Sequence, residues 1–374
     1  MRRARVVLLA GVALAAGASG ARAEPMFVSR QYARCTTCHF SPTGGGLLTP
    51  YGRSLARNEL STTGRGHESV GSGSALPPGT NLAENHIGPV SVGIDARPAH
   101  LDLRFDGGSV TRDFLMTADI IAAYRAKEWT VYGELGREPR SGGAKIDSYE
   151  YWVSHQSERG LGVRVGRFLP AYGVRLADHT AFTRAPLGLD SYDQLYALEV
   201  SHTGDRHLLQ LTASPGRADS ILDHDGRRAF TAAGRLQTDF SPRAVLVLSG
   251  LYRGASELSS RSGMAGVAFG FAPTRRVATW TEVDALKQQG ATGPPAYTLL
   301  NETGFEVYRG LWLKFSPQLR TEVGNRAGGT TRLAFEADLL PRARWNVDVS
   351  YYRDRGRSSG LVTKTLLAQL HLYL

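Results

Sequence analysis

Residues 35–39 read Cys-Thr-Thr-Cys-His, and Cys35 and Cys38 are the two cysteines of the whole chain. C-x-x-C-H is the attachment signature of c-type haem. Cys35 and Cys38 suit thioethers to the two vinyl groups of one porphyrin. The adjacent His39 suits the proximal side of the iron, because imidazole is an axial donor. One turn of backbone then makes three bonds to a single covalent haem c. Other uses of the pair fit less well. A thioredoxin-like C-x-x-C needs a βαβ domain around it, and none is visible. A Cys35–Cys38 disulfide closes too small a loop to stabilise much. A zinc site needs four ligands, and there is no second cysteine pair.

The start of the chain suits an exported protein. Residues 1–23 open with Arg2, Arg3 and Arg5, continue apolar to about Gly20, and end Ala21-Arg22-Ala23, an A-x-A cleavage pattern. The mature chain is expected to start near Glu24. No other stretch approaches the roughly 18 apolar residues of a membrane helix. The net charge of +10 is mostly arginine spread along the chain. Nucleic acid is not an expected partner of an exported protein. Scattered arginines suit the polar wall of a pore instead.

The elements that must position the motif follow from composition. Residues 24–60 form the haem-binding segment. The run Phe40-Ser41-Pro42-Thr43-Gly44-Gly45-Gly46 lets backbone pass close to a flat ligand. Thr49-Pro50 reads as N-cap and first helical position of a short helix ending near Leu60. Tyr51, Leu55, Leu47 and Leu48 are candidates to pack on the porphyrin, and Arg53 to meet a propionate. Fewer than 40 residues bury little core of their own, so the haem is expected to share its pocket with the rest of the protein. Residues 61–97 are a Gly/Ser/Pro-rich linker by composition. The distal iron ligand stays open among His67, His86 and Met26.

Residues 98–374 change character. Leu333, Phe335, Ala337 and Leu339 alternate with Arg332, Glu336 and Asp338, and Trp345, Val347, Val349 and Tyr351 alternate with Asn346, Asp348 and Ser350. Period two with one apolar and one charged face is a half-buried strand. Short connections (near 126–127, 158–159, 204–205, 241–242, 273–274, 309–310 and 341–342) alternate with long ones (near 137–147, 168–193, 214–228, 253–263, 287–296, 323–330 and 353–364). A soluble β-protein has no reason to sort connections this way. An all-β outer-membrane antiparallel barrel does, with tight periplasmic turns and longer surface loops. The strand count is about 16, with 14–18 acceptable, and an even count places the N-terminus in the periplasm. Residues 90–96 look strand-like, either extending the first hairpin or lying inside the pore. The C-terminal Leu366, Ala368, Leu370, Leu372 and Leu374 alternate with Gln369 and His371, which is similar to an outer-membrane assembly strand.

A leader, one Cys35-x-x-Cys38-His39 motif, the follow-on Thr49-Pro50-Tyr51-Gly52-Arg53 and a porin-like barrel together resemble the fused monohaem cytochrome–porins, best known from iron-oxidising bacteria. The resemblance covers the whole architecture and, at residue level, 35–39 and 49–53. It implies electron conduction between an extracellular redox substrate, ferrous iron among the candidates, and a periplasmic cytochrome or other one-electron carrier. The barrel would then be an insulating wall in outer-membrane lipid. The segment Gly166-Arg167-Phe168-Leu169-Pro170-Ala171-Tyr172-Gly173 resembles a strand-end motif of phosphate-selective porins. The alternative is a diffusion porin with a haem-bearing periplasmic appendage, its lumen favouring small anions through Arg104, Arg164, Arg320 and Arg332. No G-x-S-x-G, H-E-x-x-H or P-loop supports catalysis of another kind. Asp178-His179 and Asp223-His224-Asp225 read as solvated loop residues with a metal-binding alternative.

Overall fold

A computed structural model describes residues 25–32, 34–63, 86–87, 89–137, 146–148, 150–176, 178, 180–190, 193–215, 230–254 and 261–373. The leader 1–23, most of the linker 61–97 with His67, and the Asp223-His224-Asp225 run lie outside these residues.

The barrel closes with sixteen antiparallel strands. In chain order these are β1 (Val90–Phe105), β2 (Gly108–Ala126), β3 (Trp129–Arg137), β4 (Ile146–Asp147 resuming at Tyr151–Gln156), β5 (Leu161–Phe168), β6 (Leu195–Thr203), β7 (His207–Ser214) and β8 (Phe230–Ser241). The second half comprises β9 (Ala244–Gly254), β10 (Ser262–Thr274), β11 (Val277–Gln288), β12 (Ala296–Tyr308), β13 (Leu311–Glu322), β14 (Asn325–Arg342), β15 (Trp345–Gly356) and β16 (Val362–Tyr373). Each strand pairs with the next, and β16 closes on β1 from Thr363↔Phe105 to Tyr373↔Asp95.

The burial is that of a soluble protein turned inside out. Leu333, Phe335 and Val349 face outward, while Ala334, Asp338, Asp348 and Ser350 are buried. Ile120 is 64 % and Leu135 55 % exposed, whereas Arg164 and Glu199 are each 2 % exposed. An apolar outer belt and a charged interior suit hydrocarbon outside and a polar lumen within.

Strand ends depart most from the sequence expectation in three places. β1 begins at Val90, so the stretch 90–97 belongs to the barrel wall and not to the linker. β2 starts at Gly108, directly after a turn at Gly107 with φ of 100°. β14 absorbs 325–330, because the β13–β14 ladder continues to Glu322↔Asn325 and turns at Gly324 with φ of 77°. A long loop is therefore absent at that hairpin.

Two chain segments occupy the lumen. The first carries α1 (Pro25–Ser29), α2 (Cys35–Cys38) and α3 (Pro50–Leu55), the last continuing as one π-turn over Ala56–Leu60. Thr49 caps α3 by accepting from Gly52 N at 3.1 Å, and Pro50 fills the first turn, where its missing N–H costs nothing. This segment is anchored at the short-turn mouth. Arg30 pairs with Glu306 (2.6 Å), and Arg34 with Asp239 (3.1 Å) and the Asp205 carbonyl (3.0 Å). Thr62 donates to the carbonyls of Leu340 (2.9 Å) and Pro341 (2.8 Å).

The second segment, formed by the described residues of 169–194 between β5 and β6, falls in a surface loop (168–193) by sequence and lies inside in the structure. Its apolar residues explain the difference. Val174, Leu176 and Ala181 join Val28 of α1 and Val245, Val247, Trp280 and Leu300 of the wall in one buried cluster. Polar bonds fix the crossing to the far wall: Tyr172 to Asp284 (2.9 Å), Arg184 to Glu282 (3.1 Å) and Phe182 N to Gln318 (2.9 Å).

Candidate haem site

One helical turn sets the motif. α2 spans Cys35–Cys38, and His39 leaves it in extended geometry with its N–H on the Cys35 carbonyl at 2.8 Å. The chain then doubles back. His39 bridges Leu48, Phe40 N meets the Leu47 carbonyl (3.0 Å) and Thr49 N meets the Cys38 carbonyl (2.8 Å). The bend between them needs left-handed backbone at three successive residues, Gly44, Gly45 and Gly46, with φ of 81°, 74° and 58°. Only glycine takes such a run without strain. The turn expected from the sequence is present here.

Cys35, Cys38 and His39 line one lumen cavity of about 360 Å³, a size in the range of small-molecule sites. Both thiols are free of a disulfide and half-buried. Its lining is mixed, with apolar Met26, Leu48, Leu55 and Ile121. Among them stand the ionisable Asp95, Arg97, Lys314, Asp338 and His371. His39 Nδ1 is buried and meets no partner at hydrogen-bonding geometry. Burial, aided by nearby Arg175, pushes the His39 pKa down to about 4, against a weaker opposing effect of the Gly45 and Gly46 backbone. The ring is therefore neutral at pH 7, the form that coordinates a metal. Two thiols outside any disulfide, a neutral imidazole whose Nδ1 meets no hydrogen-bond partner and apolar residues in the lining fit a c-type haem.

The structure sorts the other sequence candidates. Met26 lines this cavity and packs with Leu55, Leu60, Trp312 and Leu340. Of His86 only the backbone is described, in a bridge to Ser91. Leu48 and Leu55 reach the cavity. Leu47 turns away to pack with Tyr132, Trp152 and Phe168, and Tyr51 is exposed, its hydroxyl 2.5 Å from that of Tyr32. Arg53 bonds the Leu48 carbonyl (2.8 Å) and does not line the cavity.

Three of the four arginines considered for anion passage are ion-paired. Arg164 is paired with Glu199 (3.0 Å), Arg332 with Asp354 (2.7 Å), and Arg104 with Asp102 (2.7 Å). Arg320 lies 5.5 Å from the centre of the Phe182 ring. Asp178 belongs to the interior segment, 3.9 Å from Arg332. Among the described residues no three His, Cys, Asp or Glu side chains are grouped for a metal ion.

Sequence reasoning missed His371, Arg175 and Arg235 as cavity residues. His371 sits on β16 with Nε2 3.2 Å from Asp95, itself paired with Arg97 at 2.8 Å. Its alternation with Leu370 and Leu372 was the available signal for an inward position.

Comparison with known proteins places the fold. No protein-family model and no curated protein matches the chain. Solved structures do. The chain is similar to OprB of Pseudomonas putida, in its high-pH structure (TM-score 0.61, 9 % identity, covering 86 % of this chain and 100 % of that one). It is also similar to a loop L8 deletion mutant of OmpT, an outer membrane protein of Vibrio cholerae (TM-score 0.56, 10 % identity, 76 % and 100 % covered). A third is an anion-selective porin from Comamonas acidovorans (TM-score 0.55, 11 % identity, 76 % and 99 % covered). At these identities the likeness is one of fold: a sixteen-stranded barrel of the porin type.

Proposed function

We propose that this chain is a monohaem cytochrome–porin of the bacterial outer membrane, its N-terminus on the periplasmic side. The observation that carries this reading is that Cys35, Cys38 and His39 face a single lumen cavity. Cys35 and Cys38 would hold the haem covalently and His39 would ligate its iron. Met26, from the same cavity wall, and His67 and His86 are the candidates for the distal position. The group so held supplies one-electron exchange between an extracellular donor or acceptor, ferrous iron among the candidates, and a periplasmic cytochrome or similar carrier.

The protein's own residues then have three tasks. The wall and its apolar belt insulate the site in lipid. Met26, Leu48, Leu55 and Ile121 supply the apolar part of the cavity lining, and low polarity there tunes a redox centre. The ion pairs Arg30–Glu306 and Arg34–Asp239 fasten the haem-binding segment inside the short-turn mouth.

The test is covalent attachment. Protein exported by cells with c-type haem maturation keeps its haem, stainable by peroxidase activity, through denaturing electrophoresis. A Cys35→Ala, Cys38→Ala double variant loses it. Haem that extracts from the wild type without breaking a bond defeats the proposal.

A second reading, a diffusion porin with a haem-bearing appendage, draws on the channels among the structural relatives, one of them titled anion-selective. Against it stands the lumen itself, crossed by both the segment carrying α1–α3 and the segment 169–194.

A further inference from the structure

We propose that Arg175 and Arg235 are the residues that bind the two carboxylates of the porphyrin, its propionates; this rests on the haem reading above. Four arginines, Arg34, Arg175, Arg184 and Arg235, surround a cleft of about 60 Å³ beside Cys35. Two of them have their countercharge. Arg34 pairs with Asp239 (3.1 Å) and Arg184 with Glu282 (3.1 Å).

The other two are served by neutral acceptors. Arg175 donates to the carbonyls of Gly44 (2.6 Å) and Thr43 (3.5 Å) and to the Thr43 hydroxyl (3.4 Å). Arg235 donates to the Gly173 carbonyl (2.8 Å), Gln237 (2.9 Å) and Gln210 (3.3 Å). Among the described residues neither guanidinium has a carboxylate at ion-pair distance. Both also line the larger cavity with Cys35, Cys38 and His39.

The glycines of the bend bring Arg175 against the motif. A Cβ built on Gly44 would stand 3.1 Å from Cys35 Sγ and 3.8 Å from Arg175 Cδ. On Gly45 it would stand 2.8 Å from an Arg175 guanidinium nitrogen. The side-chain-free turn thus sets a guanidinium beside the sulfur that would bond the porphyrin. Half-buried guanidiniums whose hydrogen bonds end on neutral acceptors can still take a carboxylate, and their planar fork takes it bidentately. A haem brings two carboxylates, one for each. The other cations of the cavity are already matched: Arg97 with Asp95 (2.8 Å) and Lys314 with Asp338 (3.2 Å).

The pairing has a structural consequence. Arg175 belongs to the segment crossing the lumen, and Arg235, on β8, holds the Gly173 carbonyl of that same segment. Haem bound by both would tie wall, crossing segment and motif together.

The test uses haem-loaded protein in detergent, with spectroelectrochemical titration of wild type, Arg175→Gln, Arg235→Gln and the two Arg→Lys variants. The motif is intact in each, so the covalent haem remains. An ion-paired propionate stays ionised in both iron states. Without its guanidinium its pKa rises, and proton uptake couples to reduction. Each Gln variant is expected to favour ferric iron by about tenfold, about 59 mV for a one-electron couple. Its midpoint potential is also expected to fall with rising pH between about pH 5 and 8, more steeply than in wild type. The Lys variants restore part of both. Haem-loaded Gln variants with wild-type potential and pH profile overturn the assignment alone. Absence of covalent haem from the wild type overturns the haem reading and this assignment with it.

Discussion

Gly52 lies against the backbone of Cys38 so closely that a Cβ at position 52 would stand 2.3 Å from the Cys38 carbonyl oxygen. The first turn of α3 rests directly on the haem motif, with no side chain between. Gly52→Ala must therefore push α3 away from α2. Overpacking of this kind costs about 1–3 kcal/mol, and here it falls on the small segment that shapes the cavity. Haem incorporation, read by peroxidase staining per unit of folded barrel, should drop several-fold. The heat-modifiable gel shift of the barrel should stay, because none of the barrel strands includes position 52. Unchanged haem content would mean the two helices need not touch.

The salt bridge between Arg184 and Glu282 is buried at both ends, with side chains 6 % and 2 % exposed. Breaking such a pair leaves an uncompensated buried charge and costs about 3–5 kcal/mol. Arg184→Ala should therefore loosen the crossing segment without unfolding the wall. Limited proteolysis of the variant in detergent should cut within 169–190, where the wild type resists. Equal resistance of both would show that Tyr172–Asp284 and the apolar cluster suffice to seat the segment.

The barrel was legible in the sequence wherever strands cross the apolar belt, because only there do the two faces differ in polarity. The spans of β3 and β12, for example, were recovered from the sequence to within a residue. The misread ends lie beyond the belt. The start of β2, Gly-Ser-Val-Thr-Arg-Asp at 108–113, is exposed on both faces, so period two leaves no trace there. The motif was legible because its spacing is local. Arg175, Arg235 and His371 reach the same cavity only through barrel closure, from 136, 196 and 332 residues beyond His39, and no local pattern announces such a meeting. The crossing segment was misassigned because length marks a loop as external, whereas its apolar content marks it as internal. Content decided.

Topology is open to a labelling test. The proposal puts the short turns in the periplasm and the long connections outside. Intact cells carrying an epitope at 358–360, between β15 and β16, should bind antibody. An epitope at 343, between β14 and β15, should bind only after the outer membrane is opened. Labelling at 343 in intact cells would invert the barrel and place the haem-binding segment at the cell surface. An epitope in 169–190 should stay silent from either side, since that segment is interior.

Conductance tests whether the lumen segments close the pore. A sixteen-stranded wall is wide enough for an aqueous channel when empty. Here the segment carrying α1–α3 fills the short-turn mouth, and 169–194 crosses behind it. The two are bonded to each other through Arg175 and Gly44 (2.6 Å) and share an apolar cluster through Val28 and Val174. Wild-type protein in planar bilayers should conduct poorly. Removing 24–60 takes out one obstruction and the Gly44 anchor of the other, so single-channel conductance should rise strongly. Residual flicker is expected, because Arg184 and Tyr172 still hold the crossing segment to Glu282 and Asp284. Removing 24–60 together with Arg184→Ala should raise conductance again and suppress the flicker. Large, equal conductance in wild type and both variants would reject a closed lumen and leave the diffusion-porin reading standing.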